Sequence, residues 1–403
     1  MTSFDAMWAE LEPVGRNPHT GGYRRFAWTA EEFELNSWFA QAAAARNMTV
    51  ELDRAGNRWA WRGDPDRMPG IVVGSHLDSV PDGGAFDGPL GVVSAFAALD
   101  QLDARGWRPT RPIGVVNFTD EEGARFGVAC AGSRLLTGQL AAERALALTD
   151  AEGDTLADAM KRYGTDPGSL DRDERALRRI ASFIELHIEQ GRGMVDLDAP
   201  VAVASAIRPH GRWRIALPGE ANHAGTTRLA DRRDAMLAAA EVVLAAREAA
   251  ERHGAVATCG KLEVHPNGVN AIASQVSVWL DARAPHPDQV RAVVDDIARV
   301  VVARGGNVAE QSWSDATVFP DAAWVAEALG GVPVLDTGAG HDAGILAQAG
   351  VPSAMLFVRN PTGVSHSPLE HAEREDCLAG VDALATVMAT LATGSVIPSG
   401  ATT

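Results

Sequence analysis

Histidines and carboxylates recur at one kind of place in this chain, just after a short apolar run. Ile71-Val-Val-Gly74 is followed by Ser75-His76-Leu77-Asp78, and Ile113-Gly-Val-Val-Asn-Phe118 by Thr119-Asp120-Glu121-Glu122-Gly123. A third run closes on Glu185-Leu-His187-Ile-Glu-Gln190-Gly191, and His366 lies in Gly363-Val-Ser-His-Ser-Pro368 beyond a fourth. Asp87 stands in the glycine-rich loop Gly83-Gly-Ala-Phe-Asp-Gly-Pro-Leu-Gly91, which leaves the same run as His76. Taken singly, each histidine reads as a hydrogen-bonded loop residue and Asp87 as a turn residue. Together they match the needs of a two-metal hydrolase. Two divalent cations about 3.5–4 Å apart need a bridging carboxylate, histidine or carboxylate ligands at each end, and a bridging water. A further carboxylate must stay off the metal to accept a proton from that water. Adjacent Glu121 and Glu122 can divide those duties, because neighbours in an extended or turning segment point in different directions.

The elements that must position these residues are legible as alternating apolar runs and helix-like segments. Ile71–Gly74, Ile113–Phe118, Phe183–Ile188 and Ala354–Val358 read as buried strands, with a helix from about Gly91 to Leu102. This alternation predicts an α/β catalytic domain with a mostly parallel sheet covered on both faces. In such sheets, ligands gather at the carboxyl ends of the strands. The middle third differs. Arg212–Leu217 alternates as a half-exposed strand, and Asp231–His253 reads as a long alanine-rich helix. Strands at Ala255–Val264 and Ser274–Ala282, a helix at Asp288–Arg304 and a strand at Asn307–Gln311 complete a β-α-β-β-α-β order, the ferredoxin-like unit. Residues 209–316 are therefore expected to form an inserted ferredoxin-like α+β domain, within a discontinuous domain made of 1–208 and 317–403.

Bulk properties narrow the function classes. A chain of 403 residues favours two domains, and its 46% apolar and 22% charged residues are those of a globular protein. The net charge of -17 argues against nucleic acid or an anionic membrane as partner, though not against a small anionic substrate met by local arginines. Three scattered cysteines with no C-x-x-C spacing suggest a reducing compartment. No basic-then-apolar leader opens the sequence, so a cytoplasmic location is expected. No G-x-G-x-x-G after a strand and no G-K-[ST] supports a nucleotide-binding reading.

The motifs quoted above, with Asn222-His-Ala-Gly-Thr-Thr227 and Gly338-Ala-Gly-His-Asp-Ala343, resemble the M20-type metallohydrolases. Within them the likeness is to the N-carbamoyl-L-amino-acid hydrolase and allantoate amidohydrolase (hydantoinase/carbamoylase) group, with motifs in the family's order over most of the chain. The resemblance implies a di-metal, aminopeptidase-like catalytic domain with a lid that also dimerises. It implies Asp87 as bridging ligand, His76 and His187 completing one metal site, Glu122 and His366 the other, and Glu121 as general base. Two divalent ions per subunit are implied, zinc foremost, with manganese, nickel or cobalt as alternatives. His187 occupies a ligand position where the peptidase branches usually carry a carboxylate, which shifts the expectation toward ureido C–N bonds.

From the lid, the resemblance implies His223 as the residue stabilising the oxyanion, reaching in from the partner subunit of a homodimer. Asn270 and Arg283 are implied as the pair that holds a substrate carboxylate, a task suited to arginine. Gln190 faces the substrate in this reading. The loop with Gly340 and His341 either offers backbone N–H groups to that carboxylate or supports the site from behind. Asp78, Asp120 and Glu189 are expected to be structural. The implied activity is hydrolysis of N-carbamoyl-L-amino acids to amino acid, ammonia and CO2, by attack of a bridging water. Allantoate, or N-formyl and N-acyl amino acids, are alternative substrates, and a non-catalytic metal-binding dimer is the rival of a different class.

Overall fold

The computed structural model describes residues 2–392. Thirteen strands run in chain order among them: β1 (Thr49–Leu52), β2 (Arg58–Arg62), β3 (Gly70–His76), β4 (Ile113–Phe118), β5 (Ile180–Ile188), β6 (Val201–Ile207), β7 (His210–Pro218), β8 (Val256–His265), β9 (Gln275–Arg283), β10 (Asn307–Ser314), β11 (Thr317–Val318), β12 (Val334–Thr337) and β13 (Ser353–Val358). The chain divides into two compact units, one of residues 1–205 with 319–403, the other of residues 206–318. No helix among the described residues is long and apolar enough to cross a membrane.

The apolar runs around the candidate site form the centre of a nine-stranded sheet, in the order β1-β2-β4-β3-β5-β13-β6-β11 with β12 beside β6. Pairing is parallel between β4 and β3, β3 and β5, and β5 and β13. The outer pairs, β1 with β2, β2 with β4, β13 with β6 and β6 with β11, are antiparallel. Every residue of β3, β4 and β13 is buried, as strands covered on both faces require. Consecutive residues of β5 show the two layers. Leu186 packs toward Gly380 of the helix Arg374–Ala392, whereas Glu185 accepts a hydrogen bond from the Ala343 N–H of the helix Asp342–Gln348 at 2.9 Å. The helix Pro89–Ala104 is apolar along most of its length and packs on β3 and β5 as well as on the helix Arg374–Ala392.

Two glycines make the strand-end geometry accessible. Gly74 in β3 has φ +152°, and a Cβ there would lie 2.0 Å from the Val116 carbonyl oxygen of β4. Gly88, at φ +86°, caps the helix Pro89–Ala104, and a Cβ there would lie 2.4 Å from Cε1 of His76. Only a residue without a side chain lets the backbone pass so close to that imidazole.

The second unit is a four-stranded antiparallel sheet of order β10-β7-β9-β8, packed against the helices Ala235–His253 and Pro287–Ala303. Its core comes from alternate residues of β7 and β9 (Trp213, Ile215, Leu217, Val276, Val278, Leu280) and from one face of each helix, including Val242, Ala246, Val293 and Ile297. This is the ferredoxin-like order. The first helix begins at Ala235 rather than at Asp231 because the Asp234 carboxylate caps it by accepting from the Met236 N–H at 2.9 Å. Gly254, left-handed at φ +63°, ends it.

Candidate active site

The carboxyl ends of β3, β4 and β5 deliver His76, the Asp120–Glu122 turn and His187 to one region, and the loops 77–88 and 359–373 add Asp87 and His366. His76 is the last residue of β3, with Nδ1 3.1 Å from the Asp78 carbonyl oxygen and 3.4 Å from Oδ1 of Asp78. That leaves Nε2 facing inward, 3.7 Å from Oδ1 of Asp87 and 3.8 Å from Oε2 of Glu121. His187 places Nδ1 2.9 Å from the Ile188 carbonyl oxygen and Nε2 3.2 Å from Oδ1 of Asp87. The other Asp87 oxygen, Oδ2, lies 3.4 Å from Nε2 of His366, which is itself 3.7 Å from Oε2 of Glu122. Ligand-type atoms thus gather into two groups, His76/Asp87/His187 and Asp87/Glu122/His366, each within 4.8 Å, with Asp87 common to both.

The Asp120–Glu122 turn shows how three adjacent acids are kept apart. Asp120 adopts φ +54°, which turns the chain. The N–H groups of Glu121 and Glu122 then donate to Oδ1 and Oδ2 of Asp78, at 3.2 and 3.0 Å. From that anchored backbone the Glu122 side chain extends toward His366, while Glu121 accepts from the Cys130 thiol at 3.1 Å. Asp78 therefore orders both the turn and the His76 ring.

Protonation reports the same polarity. Burial favours a neutral His76, yet Asp78, Glu121 and Glu122 raise its pKa well above the ordinary histidine value. For His187, burial is likewise opposed by Asp87, which lifts the ring to about 9. Burial pushes Glu121 up to about 7 and carries Glu122 well above the usual carboxylate range. Asp87 goes the other way. Burial would raise it, but His187 and His366 hold it well below its ordinary value.

The residues fit metal ions. Nε2 of His76, Nε2 of His187 and Oε1 of Glu122 are buried without a hydrogen-bond partner, an expensive arrangement for polar atoms unless a ligand completes it. Imidazoles with one nitrogen fixed by an oxygen and the other open have the arrangement typical of metal-binding histidine. The protons that burial forces onto this cluster are what a cation would replace.

Several residues around Asp87 carry weight that the sequence did not disclose. Glu370 is buried, and its Oε1 accepts from the N–H groups of both Phe86 and Asp87 at 3.0 Å. Its Oε2 accepts from Ser365 Oγ at 3.1 Å, and burial lifts its pKa to about 7. The only sequence signal was its spacing, four residues after His366 in His-Ser-Pro-Leu-Glu, which reads equally as a surface loop. Gln190 sits as expected beside the cluster, with Nε2 3.0 Å from Oδ2 of Asp87 and 3.1 Å from Ser365 Oγ. Glu189 is structural, accepting from the N–H groups of Gly193 and Met194. His341 is buried edge-on against His187 with ring centroids 4.5 Å apart, while Gly340 before it is exposed. Asp342 starts the helix that follows and accepts from Ser133 Oγ.

The remaining three expected residues lie on the second unit. His223 is exposed, with its Nδ1 accepting from the Gly225 N–H at 3.0 Å, and its backbone bridges Ala271, which puts it beside Asn270. Arg283 is the last residue of β9 and is held by both oxygens of Asp281, at 2.7 and 3.0 Å. The expected pairing of Asn270 with Arg283 needs correcting at this point. Asn270 precedes the first residue of β9 and Arg283 ends it. Eight residue steps of antiparallel strand separate them by about 26 Å, so one chain cannot bring both to one carboxylate.

Residues 72–390 match the model of peptidase family M20/M25/M40. The chain belongs to that family. It is 38% identical over 394 residues to the N-carbamoyl-L-amino acid amidohydrolase of Geobacillus stearothermophilus, covering 93% of this chain and 94% of the relative. It is 31% identical over 397 residues to the allantoate amidohydrolase of Escherichia coli, covering 95% and 96%. A crystal structure of a hydantoinase/carbamoylase family amidase from Burkholderia vietnamiensis superposes with a TM-score of 0.85 at 31% identity, over 97% and 96% of the two chains. This M20 chain therefore sits among amidohydrolases acting on C–N bonds other than peptide bonds.

Proposed function

We propose that this amidohydrolase cleaves the ureido C–N bond of N-carbamoyl-L-amino acids, giving the amino acid, ammonia and CO2. The observation that carries the reaction type is the sharing of Asp87 by two ligand groups, with the Glu121 carboxylate beside both. His76, Asp87 and His187 would hold one divalent ion, and Asp87, Glu122 and His366 a second. Bound there, the ions supply Lewis-acid polarisation of the substrate carbonyl and lower the pKa of water. Glu121, held between Cys130 and His76, accepts the proton of the attacking water and passes it to the leaving nitrogen. Burial keeps its pKa high enough to release that proton again. His223 donates to the developing oxyanion, a contact worth about 3–4 kcal/mol in other enzymes. Asn270 and Arg283 hold the substrate carboxylate, Arg283 through its planar guanidinium. Gln190, Gly340 and His341 line the same site.

The substrate class rests on the resemblance to the Geobacillus enzyme and on an imidazole, His187, at the end of β5. The resemblance to the Escherichia enzyme makes allantoate the second reading. A panel of N-carbamoyl-L-amino acids, allantoate, N-formyl amino acids and a dipeptide, assayed on metal-reconstituted protein, separates them. The largest kcat/KM is expected on N-carbamoyl-L-amino acids. Inactivity on all members with both ions bound would refute the hydrolase reading.

The distance between Asn270 and Arg283 supports a homodimer, in which the two act on one substrate from different subunits. The second unit carries a surface suited to pairing. Leu237 and Leu244 of the helix Ala235–His253 are each 65% exposed and lie seven residues apart on one face, and β8 is a sheet edge.

A further inference from the structure

We propose that Glu121, Cys130 and Asp342 form a third cation site, specific for thiophilic divalent ions, whose occupation silences the enzyme. One ligand atom from each lies within 4.8 Å of the others, and all three residues are buried. Cys130 Sγ is 3.1 Å from Oε1 of Glu121, and the Cys130 N–H donates to the Glu121 carbonyl oxygen at 2.5 Å, so the thiol is fixed in register with the carboxylate. A second observation points to a ligand. Asp342 is fully buried, its Oδ1 is used by Ser133, and its Oδ2 has no hydrogen-bond partner. An unpartnered carboxylate oxygen beside a thiol and a second carboxylate is an S/O donor set awaiting a cation.

The donor type selects the ion. The two groups around Asp87 contain only imidazole and carboxylate, whereas this one contains sulfur, so manganese or magnesium has little reason to enter and cadmium or excess zinc does. On binding, the S–H bond breaks, an S–metal bond forms and the proton leaves to solvent, with no change of oxidation state. Glu121 belongs to both worlds, with Oε1 on the thiol and Oε2 3.8 Å from Nε2 of His76. Once Glu121 is tied to a cation behind it, it can no longer carry a proton. That inhibitory consequence rests on the proton role proposed above; the binding itself does not.

The experiment titrates manganese-loaded holoenzyme with cadmium chloride, following ultraviolet thiolate-to-cadmium absorption and turnover in the same samples. Absorption and inhibition are expected to rise together in the wild type. In Cys130→Ser, the absorption should disappear and the half-inhibiting cadmium concentration should rise by at least about 10-fold. Inhibition without thiolate absorption, or equal sensitivity of Cys130→Ser, would mean that cadmium acts at the groups around Asp87, and overturns the proposal. Absorption without loss of turnover supports the site and removes Glu121 as proton carrier instead. Should Cys130→Ser not fold, Asp342→Asn provides the second reading. Its cadmium affinity, taken from the absorption, is expected to fall by about 10-fold, and an unchanged affinity overturns the site.

Discussion

Glu121 and Glu122 are neighbours in sequence with opposite surroundings, and the difference is testable. Their N–H groups share one acceptor, Asp78, so their side chains leave a common anchor toward Cys130 and toward His366. Glu121→Gln keeps the shape and removes the proton acceptor. It should retain bound metal and lose about 100- to 10,000-fold in kcat. Glu122→Gln removes an anionic ligand from one group only, and metal analysis should find about half of the wild-type content. Near-wild-type turnover in the first variant, or full metal content in the second, reverses the assignment. Glu370 makes a different kind of claim. It never faces the two groups directly but fixes the backbone of Phe86 and Asp87, and the loop fits it so closely that a Cβ on Gly84 would lie 2.4 Å from its Oε1. Glu370→Ala should weaken metal binding by about 10- to 100-fold, read by chelator competition. Glu370→Gln, which still accepts both N–H groups through its carbonyl oxygen, should recover most of it; equal loss in both variants would argue against the positioning role.

At the scale of elements, the site exists because strands end where their apolar runs end, and the loops that follow are held by backbone constraints rather than by their own packing. Gly88 is the sharpest case, with a left-handed backbone and an imidazole where its side chain would go. Gly88→Ala should cost about 1–2 kcal/mol from the backbone conformation alone. The clash with His76 should add metal loss to that cost, seen as a lowered thermal midpoint together with reduced metal content. A variant with the wild-type midpoint and full metal content would show that the loop can relax. The strands carrying His76, Glu121, Glu122 and His187 were legible because continuous apolar runs are the mark of a sheet buried on both faces. The antiparallel flanks β1, β2, β6, β11 and β12 were not, being short and partly exposed. The helix Ser3–Leu11 escaped notice too, although its Trp8 ring lies 4.8 Å from Phe86, next to Asp87. Such contacts span long sequence separations and leave no periodic signal. Glu370 was invisible for the same reason, since its two backbone partners lie 284 and 283 residues away.

At the scale of the whole molecule, the spacing along β9 carries more information than any single side chain. His223 and Asn270 share one end of the second unit's sheet through the bridge between His223 and Ala271, and Arg283 occupies the other end. If all three serve one substrate, a two-fold dimer must supply His223 and Asn270 to a site whose Arg283 belongs to the opposite chain. The exposed leucines on the helix Ala235–His253 and the open edge of β8 are where such a pairing would gain its buried area. This arrangement makes a prediction that no single-chain site makes. His223→Ala and Arg283→Ala homodimers should each be strongly impaired, the first mainly in kcat and the second mainly in KM. When the two variants are unfolded together, refolded and reloaded with metal, half of the dimers become mixed. Each mixed dimer contains one site with both substitutions and one site with neither, so activity should recover to about a quarter of the wild-type value. In a site built from one chain, every active centre keeps one substitution whatever its partner, and the mixture stays as inactive as its parts. Recovery on mixing therefore decides whether the active centre is completed across subunits, and its absence, with dimers present by sedimentation, would return His223 and Arg283 to separate roles within one chain.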